Sequence, residues 1–206
     1  MALRLGPLKF PWARKDSRKV PSTRLGAGPS TRLRAGDPYW DFFLNTPPAD
    51  LANSITELIR RAPDGNVFPT KAELHTPEIT SSHVKELARY LGADLVGIVN
   101  LDSNKEDGYP FAVVCAIEAE YDPREAPGIG GQVPVQNGLF VSFVLSAWIR
   151  ELGFRATASV DPNAERLAVA AGLGTLGPDG SVVTAKYGAR VHVANVIRTD
   201  LPLAPD

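Results

Sequence analysis

Apolar positions from residue 46 onward fall into alternating helical and strand-like blocks. Thr46 can cap a first helix, with Pro47 and Pro48 in its first turn and Leu51, Ile55, Leu58 and Ile59 on one face; Pro63 and Gly65 end it. A second helix is expected to be capped by Thr80, Ser81 or Ser82. It carries Val84, Leu87, Ala88 and Leu91 on its apolar face and stops at Gly92. Short Val/Ile-rich runs then predict strands at Asp94–Leu101 and Phe111–Glu118, separated by a polar turn at 104–108. Tyr121–Gly138 reads as a Pro/Gly-rich loop, long enough to cover or shape a binding site. Leu139–Leu152 is apolar nearly all round and is predicted as a helix in the middle of the fold. Gly153 stops it before a strand at Phe154–Val160. Asp161-Pro162 looks like an N-cap followed by a first-turn proline, opening a short helix over 162–171 that ends at Gly172. Ser181–Thr184 and Arg190–Arg198 read as two last strands. Without a clean β-α-β register the class is α+β or a mixed α/β sandwich.

The first 45 residues break this pattern. They are basic and rich in Pro and Gly, with a short duplication, Ser22-Thr-Arg-Leu25 and Ser30-Thr-Arg-Leu33. Residues 1–40 hold nine of the 22 basic residues but only Asp16 and Asp37 of the 23 acidic ones. With little to bury, residues 1–45 are expected to be a flexible arm joined to a core over 46–206, and the aromatic patch Asp37–Phe43 to dock one on the other. No apolar run approaches the roughly 20 residues of a membrane span, and neither an apolar signal region nor a twin-arginine pair is seen at the N-terminus. The expectation is a cytoplasmic protein. A net charge of −1 gives no reason to expect nucleic acid as a partner.

Composition narrows the chemistry further. Cys115 is the only cysteine and sits in an apolar run, which excludes an internal disulfide, a four-cysteine zinc site and a cysteine-held iron–sulfur cluster in this chain. His75, His83 and His192 show no metal-ligand spacing, so no metal ligands are assigned. Redox chemistry would then require a bound organic or organometallic cofactor. The glycine-dense segment Gly172-Leu-Gly-Thr-Leu-Gly-Pro-Asp-Gly180 is not a dinucleotide fingerprint, because a helix precedes it and a strand follows. It also lacks the Gly-Lys-Ser/Thr of a P-loop. Its glycines either form a tight turn or let the backbone come close to a large flat ligand.

Three segments in matching order and spacing resemble the cobalamin-dependent reductive dehalogenases and, more distantly, the epoxyqueuosine reductases. They are His83-Val-Lys-Glu-Leu-Ala-Arg-Tyr-Leu-Gly-Ala-Asp-Leu-Val-Gly-Ile98, Ala147-Trp-Ile-Arg-Glu-Leu-Gly-Phe-Arg-Ala156, and Ala171–Gly180 continuing through Thr184, Tyr187-Gly-Ala-Arg-Val191 and Thr199-Asp-Leu-Pro-Leu203. The resemblance covers residues 70–206. It implies a nitroreductase-like α/β sandwich core that holds the corrin of a cobalamin, with Gly172, Leu173, Gly174, Leu176, Gly177, Gly180 and Thr184 lining it and Tyr187, Gly188 and Arg190 next to them.

Three departures accompany the resemblance. The family's cysteine-held clusters follow the Asp-Leu-Pro-Leu segment, whereas this sequence stops at Asp206; a C-terminal ferredoxin-like domain is therefore expected to be absent, by truncation or because the core stands alone. The family's proton-donating tyrosine falls near residues 133–135, where this chain has Val-Pro-Val. Tyr121 is the nearest tyrosine and either substitutes for it or packs. The family's neighbouring cation is replaced by His192, which could stabilise halide, donate a proton, coordinate cobalt, or simply be a satisfied strand histidine. Two function classes follow. One is the cobalamin-binding core of a reductive-dehalogenase-like oxidoreductase, acting on an organohalide with electrons from another chain or a missing domain. The other is a non-catalytic cobalamin-binding, storage or delivery protein.

Overall fold

The long apolar run at 111–118 becomes the central strand of an antiparallel sheet, and the other elements are arranged around it. The computed structural model describes residue 56 and residues 58–101, 108–119 and 129–206, which fall within one unit of the chain spanning 32–206. The N-terminal arm, the aromatic patch, most of the first helix, the 104–107 turn and Tyr121 lie outside the described residues. Helix α1 is Pro77–Tyr90, β1 Leu95–Asn100, β2 Phe111–Glu118, α2 Ile129–Glu151, β3 Ala156–Ser159 and α3 Ala164–Ala170. Then come β4 Thr175–Leu176, β5 Val182–Val183, β6 Val191–Val193 and β7 Val196–Thr199. The main sheet runs β1-β2-β7-β3 with β6 also on β2, and β4-β5 forms a separate hairpin. The α+β expectation holds.

Because β2 is covered on both faces, it is apolar without alternation. Val113, Cys115 and Ile117 join Val96 and Ile98 of β1 and Ile197 of β7 in a core under α1 and α2. Ala112 and Val114 face the other way, toward Ala164, Leu167 and Ala168 of α3. Among the described residues α1 and α2 thus cover one face of the sheet, and a short helix carrying the glycine-rich hairpin covers the other.

Several boundaries differ from expectation, each for a physical reason. The N-cap of α1 lies four residues before Thr80: it is Thr76, its hydroxyl accepting from the Ile79 N–H, and Pro77 takes the first turn. Thr80 and Ser81 are buried instead, and the Ser81 hydroxyl donates to Ala204 O at 3.2 Å and accepts from Ala204 N–H at 2.8 Å. These bonds hold the C-terminal tail, whose Asp206 exchanges backbone and side-chain bonds with Ile98 on the outer edge of β1.

The expected 121–138 loop is helical from Ile129. Pro134 costs that helix a hydrogen bond, but its ring is fully buried, and Gly138 is a contact residue: a Cβ there would lie 2.9 Å from that of Ala194. The helix after Asp161 starts at Ala164, and its N-cap Asn163 makes no side-chain cap. Asp161 still acts as expected of a cap, its Oδ1 accepting from the Asn163 N–H at 2.8 Å, while its Oδ2 is bound to Arg198 of β7 at 2.7 Å.

The expected 190–198 strand is two strands on one edge of β2, since Ala116 pairs with Val193 but Val113 with Ile197. One residue is therefore inserted at Ala194–Asn195, a β-bulge, and both of those side chains serve the α2 side of the sheet.

Candidate functional site

The glycine-rich segment is built as a ribbon on the α3 side. α3 ends where the Ala171, Gly172 and Leu173 N–H groups turn back to the carbonyls of Leu167, Val169 and Ala168 at 2.8, 3.0 and 3.0 Å. Gly172 has φ +71°, a conformation that costs other residues strain. Gly174 passes so close over β5 that a Cβ would stand 2.4 Å from Val183 O. Gly174→Ala is accordingly expected to destabilise the protein by about 1–3 kcal/mol in a urea titration; an unchanged midpoint would contradict this packing. The β4-β5 tip is closed by the Gly177 N–H donating to Ser181 O at 2.7 Å, and the Asp179 carboxylate accepts from the Ser181 hydroxyl at 2.7 Å.

Beyond the hairpin, the Thr184 hydroxyl accepts from Tyr187 N–H at 3.0 Å and donates to Gly188 O at 3.3 Å. Thr184 thus fixes a turn, and Tyr187 is buried with the Lys186 ammonium 4.6 Å from its ring centre. Arg190 follows with its carbonyl accepting from Ala119 N–H at 2.9 Å. All ten residues from Gly172 to Arg190 expected to line a ligand therefore lie on one continuous ribbon. Its backbone is open at Gly172, Gly180 and Gly188, where an added Cβ would meet nothing within 4 Å.

His192 is not brought to that ribbon. It pairs with Ile117 across β6 and β2, and cross-strand partners share a face, so it lies on the α2 side. Its ring edge is 3.4 Å from where a Cβ would stand at Gly138. Burial, helped by the positive charge of Arg60, pushes its imidazole from 6.5 down to about 4. Near neutral pH the ring is uncharged and is not a ready proton donor. Val191 and Val193, its neighbours in sequence, pack toward α3. Cys115 is inert, its thiol pushed up to about 12 by burial.

The α2 side also holds a cleft of about 290 Å³ that was not anticipated from the sequence. Its polar lining comes from Arg60, Asp64, Ser142, Ser146, Arg150, Ser159 and Asn195, and its apolar lining includes Ile59, Leu139, Phe143, Ala158 and Val160. The Arg150 side chain is only 6% exposed; it donates to Ala156 O at 2.9 Å and stands 3.8 Å from the Asp64 carboxylate. The signal available in the sequence was an arginine inside an otherwise apolar helix. Asn195 gave none, because its direction depends on the bulge. Among the described residues no group of three His, Cys, Asp or Glu side chains could hold a metal ion, and no helix is long and apolar enough to cross a membrane.

Comparison with known proteins places these features in context. No family model matches the chain. Tetrachloroethene reductive dehalogenases of Desulfitobacterium hafniense and Dehalobacter restrictus are 33% identical to it over 101 residues, which is 46% of this chain and 18% of each relative. The chain thus matches less than a fifth of the length of these relatives. A solved reductive dehalogenase, described through a mechanism for B12-dependent dehalogenation, superposes with a TM-score of 0.64 at 26% identity, over 75% of this chain and 24% of the other. An epoxyqueuosine reductase superposes more weakly, with a TM-score of 0.45 at 17% identity, over 62% of this chain and 47% of the other. The resemblance to reductive dehalogenases read from the three sequence segments is therefore also present in whole-segment sequence and fold.

Proposed function

We propose that residues 46–206 form the cobalamin-binding core of a reductive-dehalogenase-like oxidoreductase, built on a nitroreductase-like scaffold. The observation that carries this reading is the open ribbon from Gly172 to Arg190. A broad, flat macrocycle needs backbone it can approach, and Gly172, Gly180 and Gly188 offer three such positions. The ribbon fits as one wall for a corrin. The 290 Å³ cleft on the α2 side is at the lower limit even for small-molecule sites and is not that pocket. Cobalamin, when bound, supplies a redox-active cobalt able to break a carbon–halogen bond. This chain's own part is to present N–H and C=O groups and to hold the ribbon rigid through Thr184 and the buried Tyr187. An organohalide is then the substrate, and the electron donor lies outside residues 46–206.

A second reading, cobalamin binding without turnover for storage or delivery, draws support from His192. It faces α2 and is neutral near pH 7, and no tyrosine occupies 133–135. Halide release from a chlorinated alkene by the loaded protein, under a strong chemical reductant and above the rate with free cobalamin, would decide for the enzyme.

The test of binding itself is a visible-absorption titration with hydroxocobalamin and its cobalt(II) form, expected to saturate with a shift in the spectrum. Gly172→Asn puts a side chain into the open space with little backbone strain, because Asn tolerates φ near +71°. It should leave the fold intact by circular dichroism and weaken binding about tenfold or more. No saturation at about 50 μM cobalamin, or equal binding by Gly172→Asn, would count against the ribbon as the corrin wall.

A further inference from the structure

The cleft on the α2 side has no part in the reading above, and its chemistry differs from that of the glycine ribbon. Among the described residues its charged lining is Arg60, Arg150 and Asp64, two guanidinium groups against one carboxylate. Arg150 is fixed by one hydrogen bond and lies beside Gly65. Its Nη1 donates to Ala156 O at 2.9 Å, its Nε and Nη2 lie 3.4 and 3.6 Å from where a Cβ would stand at Gly65, and its chain is buried in α2. That one bond leaves most of its five N–H donors without a hydrogen-bond acceptor among the described residues. Among the described residues Asp64 supplies the carboxylate paired with it, but at 3.8 Å and 60% exposed it neutralises the charge only weakly and forms no hydrogen bond. The cleft is open to solvent on one side, so these donors face water, and an anion entering it would replace that water with charge-assisted hydrogen bonds.

We propose that this cleft is a binding site for a small organic carboxylate. The planar fork of Arg150 matches a carboxylate in two parallel hydrogen bonds, and Arg60 supplies a second positive charge at the rim. Across the cleft, Leu139, Phe143 and Val160 provide an apolar wall for the body of the ligand. Asn195, turned to this side by the bulge between β6 and β7, adds an amide that can donate to the same group. The hydroxyls of Ser142 and Ser146 are spent on the helix carbonyls of Gly138 and Phe143 at 2.8 and 2.9 Å and contribute shape only. A volume of about 290 Å³ limits the ligand to roughly one ring or a short aliphatic chain. The site stands or falls independently of cobalamin.

Titration calorimetry of the full chain with sodium benzoate tests it, at constant ionic strength and with benzamide as the uncharged control. Benzoate should saturate below about 20 mM and benzamide should bind about tenfold more weakly or not at all. Arg60→Gln, on an exposed residue, should weaken benzoate severalfold without touching the fold, and Arg150→Gln by about tenfold or more. Asp64→Asn removes the competing carboxylate and should tighten benzoate by about threefold. This last outcome separates the proposal from a purely structural role for Arg150, and it stays measurable if Arg150→Gln does not fold. Equal binding of benzoate and benzamide, no saturation by either, or no response to Arg60→Gln together with weaker binding by Asp64→Asn, would overturn the assignment.

Discussion

Arg198→Met is expected to destabilise the protein by about 3 kcal/mol at neutral pH, out of proportion to a single side chain on a short strand. Arg198 donates to Asp161 at 2.7 Å, and the Asp161 side chain is only 3% exposed, its partner 17%. That pair ties β7 to the entry of α3, the helix that carries the glycine ribbon. Burial by itself raises the Asp161 pKa. The Arg198 hydrogen bond, the Asn163 N–H and the guanidinium charge outweigh it and hold the carboxyl below its ordinary 3.8. Removing the arginine leaves a buried anion with one backbone donor, at 2.8 Å from Asn163 N, and its pKa must then rise. The cost falls at the lower end of the range for broken buried pairs because Asp161 lies close beneath the surface.

The pH dependence has a definite sign. With a depressed folded pKa, the wild-type pair contributes stability above about pH 4 that is lost as pH falls further. In Arg198→Met the raised pKa reverses this, so the gap between the two proteins is widest at neutral pH and closes in acid. Asp161→Asn combined with Arg198→Met should recover most of the loss, because the amide keeps an acceptor for Asn163 and carries no charge. Urea midpoints at pH 7 and pH 4 for the wild type and these two variants measure all of this. A loss under about 0.5 kcal/mol for Arg198→Met would mean that the pair is solvated.

This pair also marks the limit of what the sequence reveals. The strands at 95–100 and 111–118 could be read nearly to the residue, since runs of Val and Ile bounded by polar turns have few other uses. Asp161-Pro162 carried an equally strong local signal for a cap. It revealed only half of the residue's role: Oδ1 accepts from the Asn163 N–H as a cap would, but Oδ2 is claimed by an arginine 37 residues later, a partner no local pattern specifies. The 129–138 stretch failed for a related reason. Its proline and glycines read as loop chemistry, yet the structure uses Pro134 as buried bulk and Gly138 as a point of close contact with β6. Of the candidate site, the ribbon was legible because it is contiguous in sequence. The Arg150 cleft was not, since it depends on a helix, a strand end, a bulge and the 59–64 segment meeting in space. Sheet parity separates His192 from the glycine ribbon: with Val191 and Val193 facing α3, a residue between them must face α2.

That placement makes His192 an acid-sensitive element of the fold. Its pKa is about 4 in the folded chain, first because its packing against α2 strips water from the ring and second because of Arg60, against 6.5 in the unfolded chain. Between those values the unfolded chain takes up a proton that the folded chain refuses, so stability falls with pH. The contribution is fully present above about pH 6.5 and gone by about pH 4, and a gap of this size corresponds to roughly 3 kcal/mol. His192→Gln keeps a polar group of similar length but cannot be protonated. It should cost little at pH 7.5 and flatten the acid limb, so that the variant overtakes the wild type below about pH 5. Every other titrating group is common to both proteins and cancels in the difference. Urea midpoints taken at half-unit steps from pH 7.5 to 4 would trace the two curves, and a proton NMR titration of the His192 ring would locate its pKa directly. Parallel curves, or a ring that titrates near 6.5, would mean that water reaches the imidazole. His192 would then be available as a proton donor on the α2 side after all.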